Sequence, residues 1–450
     1  MNKNRYFGIS AIIVALVIPS FSAQANLLNP GVVRVQDTTP RVESSASPLL
    51  LSAAVKSSSR VRTLTSPFKQ LIDFNGDGKA DVFWYNDKTG ETSAWLIDGD
   101  SVISYVSYAT VSPSTGWRIK GFGDFNGDGK TDIFWYNNET GETSAWLIDG
   151  GSVISSVSYS TVSPSTGWIL QGFGDANGDG KTDIFWYNKN NGDVSAWLID
   201  GSNVTYPPRY GQVPSSTGWI LQGFGDFNGD GKTDILWYNK NNGDVSAWLI
   251  NGSNVTYPPR YGQVPSSTGW SFKGFGDADG DGKTDVFWFN YKTGETSAWL
   301  INGSNVTYPP AYGKVPILGS PTFSVIEWSI EGFGDFNGDR KTDIFWYNNN
   351  TGETSAWLIG GNSIISYVSN PIVPPSTGWR IKGYGDFNGD RKTDIFWYNN
   401  NTGETSAWLM DGGSVINYAG YGTVPPSTGW YPLFASQSTG LALYKPILIQ

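Results

Sequence analysis

The chain has 450 residues with 21 Trp and 56 Gly, but no His and no Cys. Those two absences exclude disulfide scaffolds, thiolate or imidazole zinc sites, cysteine nucleophiles and Ser-His-Asp triads. A net charge of -10 disfavours nucleic acid, whose binding rests on neutralising phosphates, and equally an anionic membrane surface.

In chain order, a basic start (Met1–Arg5) precedes an apolar run from Ile9 to Ile18 and the small-residue pattern Ala23-Gln24-Ala25. This predicts a secretory signal peptide over residues 1–25, hence export to a periplasm, cell surface or medium. The apolar run is too short to span a bilayer, so no membrane insertion is expected. Residues 26–65, with Ser44, Ser45, Ser47 and Ser57–Ser59, read as a Ser-rich linker with candidate edge strands at Val32–Val35 and Leu49–Leu51.

From residue 66 to 450 one unit recurs. Its first Asp falls at Asp73, Asp124, Asp175, Asp226, Asp277, Asp335 and Asp386. Each copy also carries three Trp, which accounts for every Trp in the chain. In the second copy Trp117–Gly123 reads as a strand ending at the Asp loop. Ile133–Tyr136, apolar on both faces, reads as a second strand. Ser144–Ile148 is a third, and Val153–Tyr159 a half-exposed fourth after the Asp149-Gly150 hairpin. Each Trp can bury roughly 150–250 Å², or about 4–6 kcal/mol, which so small a unit cannot do alone. Neighbouring units must therefore pack face to face. The prediction is an all-β fold, a seven-bladed β-propeller of four-stranded blades. The first copy is preceded by Ser66–Leu71 instead of a Trp strand, and the seventh is followed by Trp430–Phe434 and Leu441–Tyr444. These extra segments either complete a shared blade or form a degenerate eighth.

The repeated loop has the form D-x-[DN]-x-D-G-x-x-D. Alternate positions turn oxygens toward one centre, as a hard cation with six to eight oxygen ligands requires. The candidate ligands, the Lys through its backbone carbonyl, are Asp73, Asn75, Asp77, Lys79 and Asp81 in the first copy. They are Asp124, Asn126, Asp128, Lys130 and Asp132 in the second, and Asp175, Asn177, Asp179, Lys181 and Asp183 in the third. Asp226, Asn228, Asp230, Lys232 and Asp234 follow in the fourth, and Asp277, Asp279, Asp281, Lys283 and Asp285 in the fifth. The last two copies offer Asp335, Asn337, Asp339, Lys341 and Asp343, then Asp386, Asn388, Asp390, Lys392 and Asp394. These loops hold more than half of the 40 acidic residues, so much of the acidity is internal charge suited to Ca²⁺, up to seven ions. In copies six and seven the loop Gly is replaced by Arg340 and Arg391, which would have to adopt a left-handed backbone.

Preceded by Gly121-Phe122-Gly123, these loops resemble the FG-GAP repeats of integrin α-chain propellers and the related bacterial VCBS-type repeats. The resemblance covers residues 66–437. It implies that each loop joins the first two strands of a blade and binds Ca²⁺ on one rim. The Gly-Ala-Pro element is absent, with Trp135-Tyr136-Asn137 near its place.

No catalytic constellation appears. Glu91, Glu142, Glu295, Glu353 and Glu404 recur at one turn, which reads as hairpin structure. Near-identical blades favour multivalent binding of a glycan or cell-surface polymer. Tyr206, Tyr257 and Tyr308, which open blade-to-blade segments, are candidate ligand contacts on the rim opposite the loops. The expectation is a secreted, Ca²⁺-dependent, lectin-like binding or adhesion module. The alternatives are a propeller lyase or glycosidase and a structural extracellular scaffold. The sequence names no protein partner.

Overall fold

In the second copy the strands run Trp117–Gly123, Asp132–Asn137, Thr143–Asp149 and Ser152–Ser158, all antiparallel, within one residue of the sequence reading. The computed structural model describes residues 72–315, 318–320, 323–325 and 327–434. The signal peptide, the linker, Ser66–Leu71 and Leu441–Tyr444 lie outside the described residues. The same four-strand order recurs around a ring of seven blades. In the third to fifth blades the fourth strand shortens to three residues, as at Asn203–Thr205. There a two-residue strand such as Gly211–Gln212 returns to pair with the third strand. The sole helical elements among the described residues are three-residue 3₁₀ turns before the Trp strands, so no helix is long and apolar enough to cross a membrane.

Ring closure settles the blade count. Trp430–Leu433 pairs antiparallel with Val82–Asn86 and supplies the first blade with the strand that its own repeat lacks. Seven blades form, with one shared between the two ends of the repeat array. Closure also removes the free edge that Val82–Asn86 would otherwise present.

Seven apolar clusters hold the ring, each between two consecutive blades. Second strands such as Asp132–Asn137 are buried along nearly their whole length because both faces meet a neighbouring blade. Trp186 of the third blade, for example, packs with Tyr136 of the second. The first strands of neighbouring blades touch one another around the axis, and the fourth strands form the exposed outer wall. The insertion before Trp328 forms a small hairpin, Leu318–Ser320 against Phe323–Val325.

In every blade from the second to the seventh, the first strand carries a bulge against the second. The register slips between Ile119 and Gly121, and at the equivalent place in the others. The extra residue is Lys120, Gln171, Gln222, Lys273, Glu331 or Lys382. The closing strand pairs without one.

Candidate metal loops and the opposite rim

Antiparallel order places the first-to-second loop and the third-to-fourth hairpin on one rim of each blade. The second-to-third turn and the blade-to-blade link lie on the other. All seven Asp loops therefore share one rim.

Within a loop each acid has a distinct role. Asp73 Oδ1 accepts hydrogen bonds from the amides of Gly76 (2.7 Å) and Asp77 (3.2 Å), and Oδ2 from Gly78 (2.8 Å). Asn75 Oδ1 accepts from the Asp77 amide and Asp77 Oδ1 from the Lys79 amide. The ninth-position Asp is fully buried. Asp81 Oδ2 accepts from the Phe74 amide (2.8 Å) and Oδ1 from Ile97 on the third strand (3.0 Å). The same pair of bonds recurs at the other six ninth-position acids. This Asp thus ties its loop to the third strand, a role that loop spacing does not reveal.

Burial pushes the Asp81 carboxyl up to about 8, helped by repulsion from Asp73 and Asp77 and opposed by its two amide donors. Asp132 and Asp183 rise to about 7, and Asp234, Asp285 and Asp394 to about 8, for the same reasons. A cation among these oxygens would restore their charge. The donor set, all oxygen, fits a hard cation and not a thiophilic one. In the fifth loop, with Asp at the third position, carboxylate oxygens of Asp277, Asp279 and Asp285 converge to within 4.8 Å of one another. Asp281 turns instead to Lys283, 2.7 Å away. The loop lysines also reach between blades: a Cβ at Gly76 would meet Lys130 Cγ of the next loop at 3.2 Å.

Arg340 and Arg391 hold φ of 68° and 69°, the left-handed backbone expected of them. Their amides donate to Asp335 Oδ2 and Asp386 Oδ2 at 2.8 Å, as glycine amides do elsewhere. A Cβ at the equivalent Gly78 would meet nothing within 4 Å, so the cost is in the backbone alone.

The recurrent glutamates are turn residues: Glu91 and Glu142 accept from Thr89 and Thr140 two residues earlier. Tyr206, Tyr257 and Tyr308 directly follow the short fourth strands, where the chain leaves them for the next blade. Each stands edge-on against a third-strand Trp, at 5.7, 5.4 and 5.2 Å. Their phenols bond to the preceding blade: Tyr206 with Ser160, Tyr257 to the Tyr210 carbonyl and Tyr308 to the Tyr261 carbonyl.

The rim opposite the loops carries a cleft of about 280 Å³ between the second and third blades. Trp168, Trp186, Trp197, Ser195, Thr161, Thr166 and Val162 line it. Trp186 is a buried floor residue whose indole N–H is sealed without a hydrogen bond, as in the equivalent Trp of all seven blades. Trp168 is half-buried, and Thr161 and Thr166 are exposed at the lip. Sequence reasoning assigned these Trp to packing, which holds for Trp186. It missed the cleft because its walls come from different strands.

The FG-GAP-like repeat profile matches residues 73–135, 124–186, 175–237, 226–288 and 335–397, more than half of the chain. The T-cell immunomodulatory proteins of Rattus norvegicus and Mus musculus are each 25% identical over 236 residues, which is 50% of this chain. The matched segment spans 37% of those relatives' length. Among solved structures, a post-proline cleaving enzyme from Rickettsia typhi aligns over 80% of this chain and 55% of its own, with 13% identity and a TM-score of 0.49. Likeness at that level transfers no activity.

Proposed function

The chain belongs to the FG-GAP-like repeat family, and from that premise we propose that it is an exported, calcium-binding propeller that works as a multivalent binding module for glycans or cell-surface polymers. The observation that carries the reading is the cleft between the second and third blades. Its walls combine indole faces with the hydroxyls of Ser195, Thr161 and Thr166, a mixture suited to a sugar ring. At about 280 Å³ it accommodates a single ring better than a long segment.

None of the lining residues is an acid or a base. General acid–base chemistry requires one, so the cleft favours binding over hydrolysis or elimination. The same residue types recur in the first and second blades, as Thr110, Trp117, Trp135, Ser144 and Trp146 of the second show, whereas Ile372 replaces Thr161 at the seventh. Gln212 and Gln263 replace Thr161 at the next two junctions. Several weak, rigidly spaced clefts would gain about 10²–10⁴-fold in avidity for a polymer. In this reading the Asp loops hold Ca²⁺ and stiffen the ring, and their residues take no part in ligand contact.

A glycan array run with Ca²⁺ and with chelator tests the reading, followed by titration with free monosaccharide. Immobilised polysaccharide should bind far better than the monosaccharide, and Ser195→Val should weaken binding at its own junction alone. Equal binding of monomer and polymer would count against multivalency. Turnover of a polysaccharide, abolished by changes in one blade only, would establish the enzyme reading instead.

A further inference from the structure

The fourth strands of the ring are of two kinds. In the third to fifth blades each is cut to three residues, at Asn203–Thr205, Asn254–Thr256 and Asn305–Thr307, and a Tyr-Pro-Pro segment follows. A basic side chain farther on pairs with an acid of the third strand. Arg209 meets Asp193 and Arg260 meets Asp244, both at 2.6 Å, and Lys314 meets Glu295 at 3.0 Å. Short strands, proline and charge are devices that keep a sheet edge from associating.

The other four edges lack these devices. Ile364–Asn370, Ser414–Thr423, Ser101–Ser107 and Ser152–Ser158, in the sixth, seventh, first and second blades, hold no charge and no proline. Each bulges against its third strand. Leu96 pairs with Ser104 and Ile97 with Val102, so Ile103 is left out of the ladder, as are Ile154, Ile365 and Ile416 at the equivalent places. A bulge re-aims the side chain it carries. All four are isoleucines, 55–59% exposed. Tyr105, Tyr367 and Tyr418 stand two residues on, 58–64% exposed. Each is edge-on to a third-strand Trp, at 5.5, 5.1 and 6.1 Å, which holds the ring in place before anything binds.

Three of these edges are joined. Asn370 Oδ1 accepts from the Val415 amide (3.1 Å), and its Nδ2 donates to the Gly413 carbonyl (2.8 Å). The Tyr421 phenol donates to the Gly99 carbonyl (2.7 Å). Ser414–Thr423 thus touches the sixth-blade edge on one side and the first-blade edge on the other. Three isoleucine–tyrosine pairs lie on one continuous, uncharged outer face.

We propose that this face, centred on the seventh blade, is self-complementary and joins two copies of the chain around a two-fold axis. The bulges interrupt the backbone ladder, so the contact is made by side chains and not by extension of a sheet. Charge identifies the occupant. Two copies of net charge -10 repel, and they meet at least cost where neither presents a charge. A basic partner would be selected by acids, and these three strands hold none. Area agrees. At the observed exposure the three tyrosines leave roughly 270–450 Å² and the three isoleucines roughly 100–200 Å² to be covered. With the serine and asparagine rim, that approaches the roughly 800 Å² each partner gives to a standard interface. A two-fold contact closes on itself, so association stops at two. The proposal stands apart from the glycan reading, and such a pair would double the number of clefts carried by one particle.

The test is sedimentation of the full chain in Ca²⁺ from about 1 µM to about 100 µM. Wild type should pass from one copy to two across that range. The pair should hold or tighten as salt rises, because screening removes like-charge repulsion. The variant Ile103→Ser/Ile365→Ser/Ile416→Ser should weaken the pair at least tenfold, and Ile416→Lys, which puts a charge on each copy's face, should do so alone. Ile220→Ser, at an exposed isoleucine on the first strand of the fourth blade, should change nothing. A melting curve in Ca²⁺ confirms that each variant is folded. One copy at every concentration, or a triple variant that pairs as wild type does, would overturn the face. Assemblies that grow past two copies would overturn the closed two-fold contact, and a pair that dissolves in salt would overturn its apolar basis.

Discussion

The two rims of the ring come from the same seven repeats and are built to opposite ends. On the loop rim each blade is stapled to the next. The Thr131 amide donates to the Asp73 carbonyl at 2.7 Å, the bond recurs at the next five junctions, and the Ala80 amide closes the ring on the Asp386 carbonyl at 2.7 Å. The Tyr108 phenol adds a bond to the Gly150 carbonyl across the first of these junctions. A change in one loop therefore disturbs its neighbour, and the rim tolerates little variation. On the opposite rim the links vary in composition, the insertion of Leu318–Val325 is accommodated, and a cleft opens. A rim committed to holding the ring leaves the other free for recognition.

The largest effect that could break this contrast is metal removal. Saturation a hundredfold above Kd should add roughly 3 kcal/mol for each occupied site. Melting temperatures in excess Ca²⁺ and in EGTA should therefore differ by about ten degrees or more. Coincident curves would leave the loop rim as a purely hydrogen-bonded structure.

The next test separates ligand from staple within one loop. Asp234→Ala strips an acceptor from the buried amides of Phe227 and Ile250. It should cost roughly 2–5 kcal/mol even in EGTA. Asp230→Ala removes a carboxylate that faces Lys232 near the surface, and should cost less than about 1 kcal/mol in EGTA while weakening Ca²⁺ binding. Equal costs in denaturant titrations would mean that the ninth-position Asp does not anchor the loop.

The pH dependence of the metal-free chain follows from the same residues. Asp81, Asp234, Asp285 and Asp394 are raised to about 8 in the fold from an ordinary 3.8. The folded chain then binds protons more tightly than the unfolded chain. In chelator, stability should fall as pH rises from about 4 to about 8, being greatest while these groups are protonated. Saturating Ca²⁺ should flatten that slope. Urea midpoints at pH 5 and pH 8, with and without Ca²⁺, measure it, and a rise with pH in EGTA would contradict the assignment.

The smallest effect compares loops on one rim. Arg340→Gly and Arg391→Gly relieve a left-handed residue, and each should stabilise by about 1 kcal/mol in EGTA. Gly78→Arg in the first loop should cost a similar amount, because open space surrounds it. If Ca²⁺ titration of the double glycine variant matches wild type, the Arg loops are as competent as the others.

Much of this was legible before any coordinates. The Trp117–Gly123 strand, the loop after it, the seven-fold count and the left-handed Arg340 all follow from patterns within a few residues, where backbone preference and alternation decide the outcome. The tertiary structure decided what meets what. Repeats that look alike cannot say which edge pairs with which, so the joining of Trp430–Leu433 to Val82–Asn86 had to be seen. The two amides on Asp81 come from opposite ends of a blade segment, and only folding brings them together. The bulge at Lys120 arises from a one-residue mismatch between paired strands, a property of the pair that neither strand's own sequence displays. Tyr206 stands beside Trp197 because its fourth strand ends after three residues, before the chain turns to the next blade. Local chemistry set the elements, and the packing of one blade against the next set their roles.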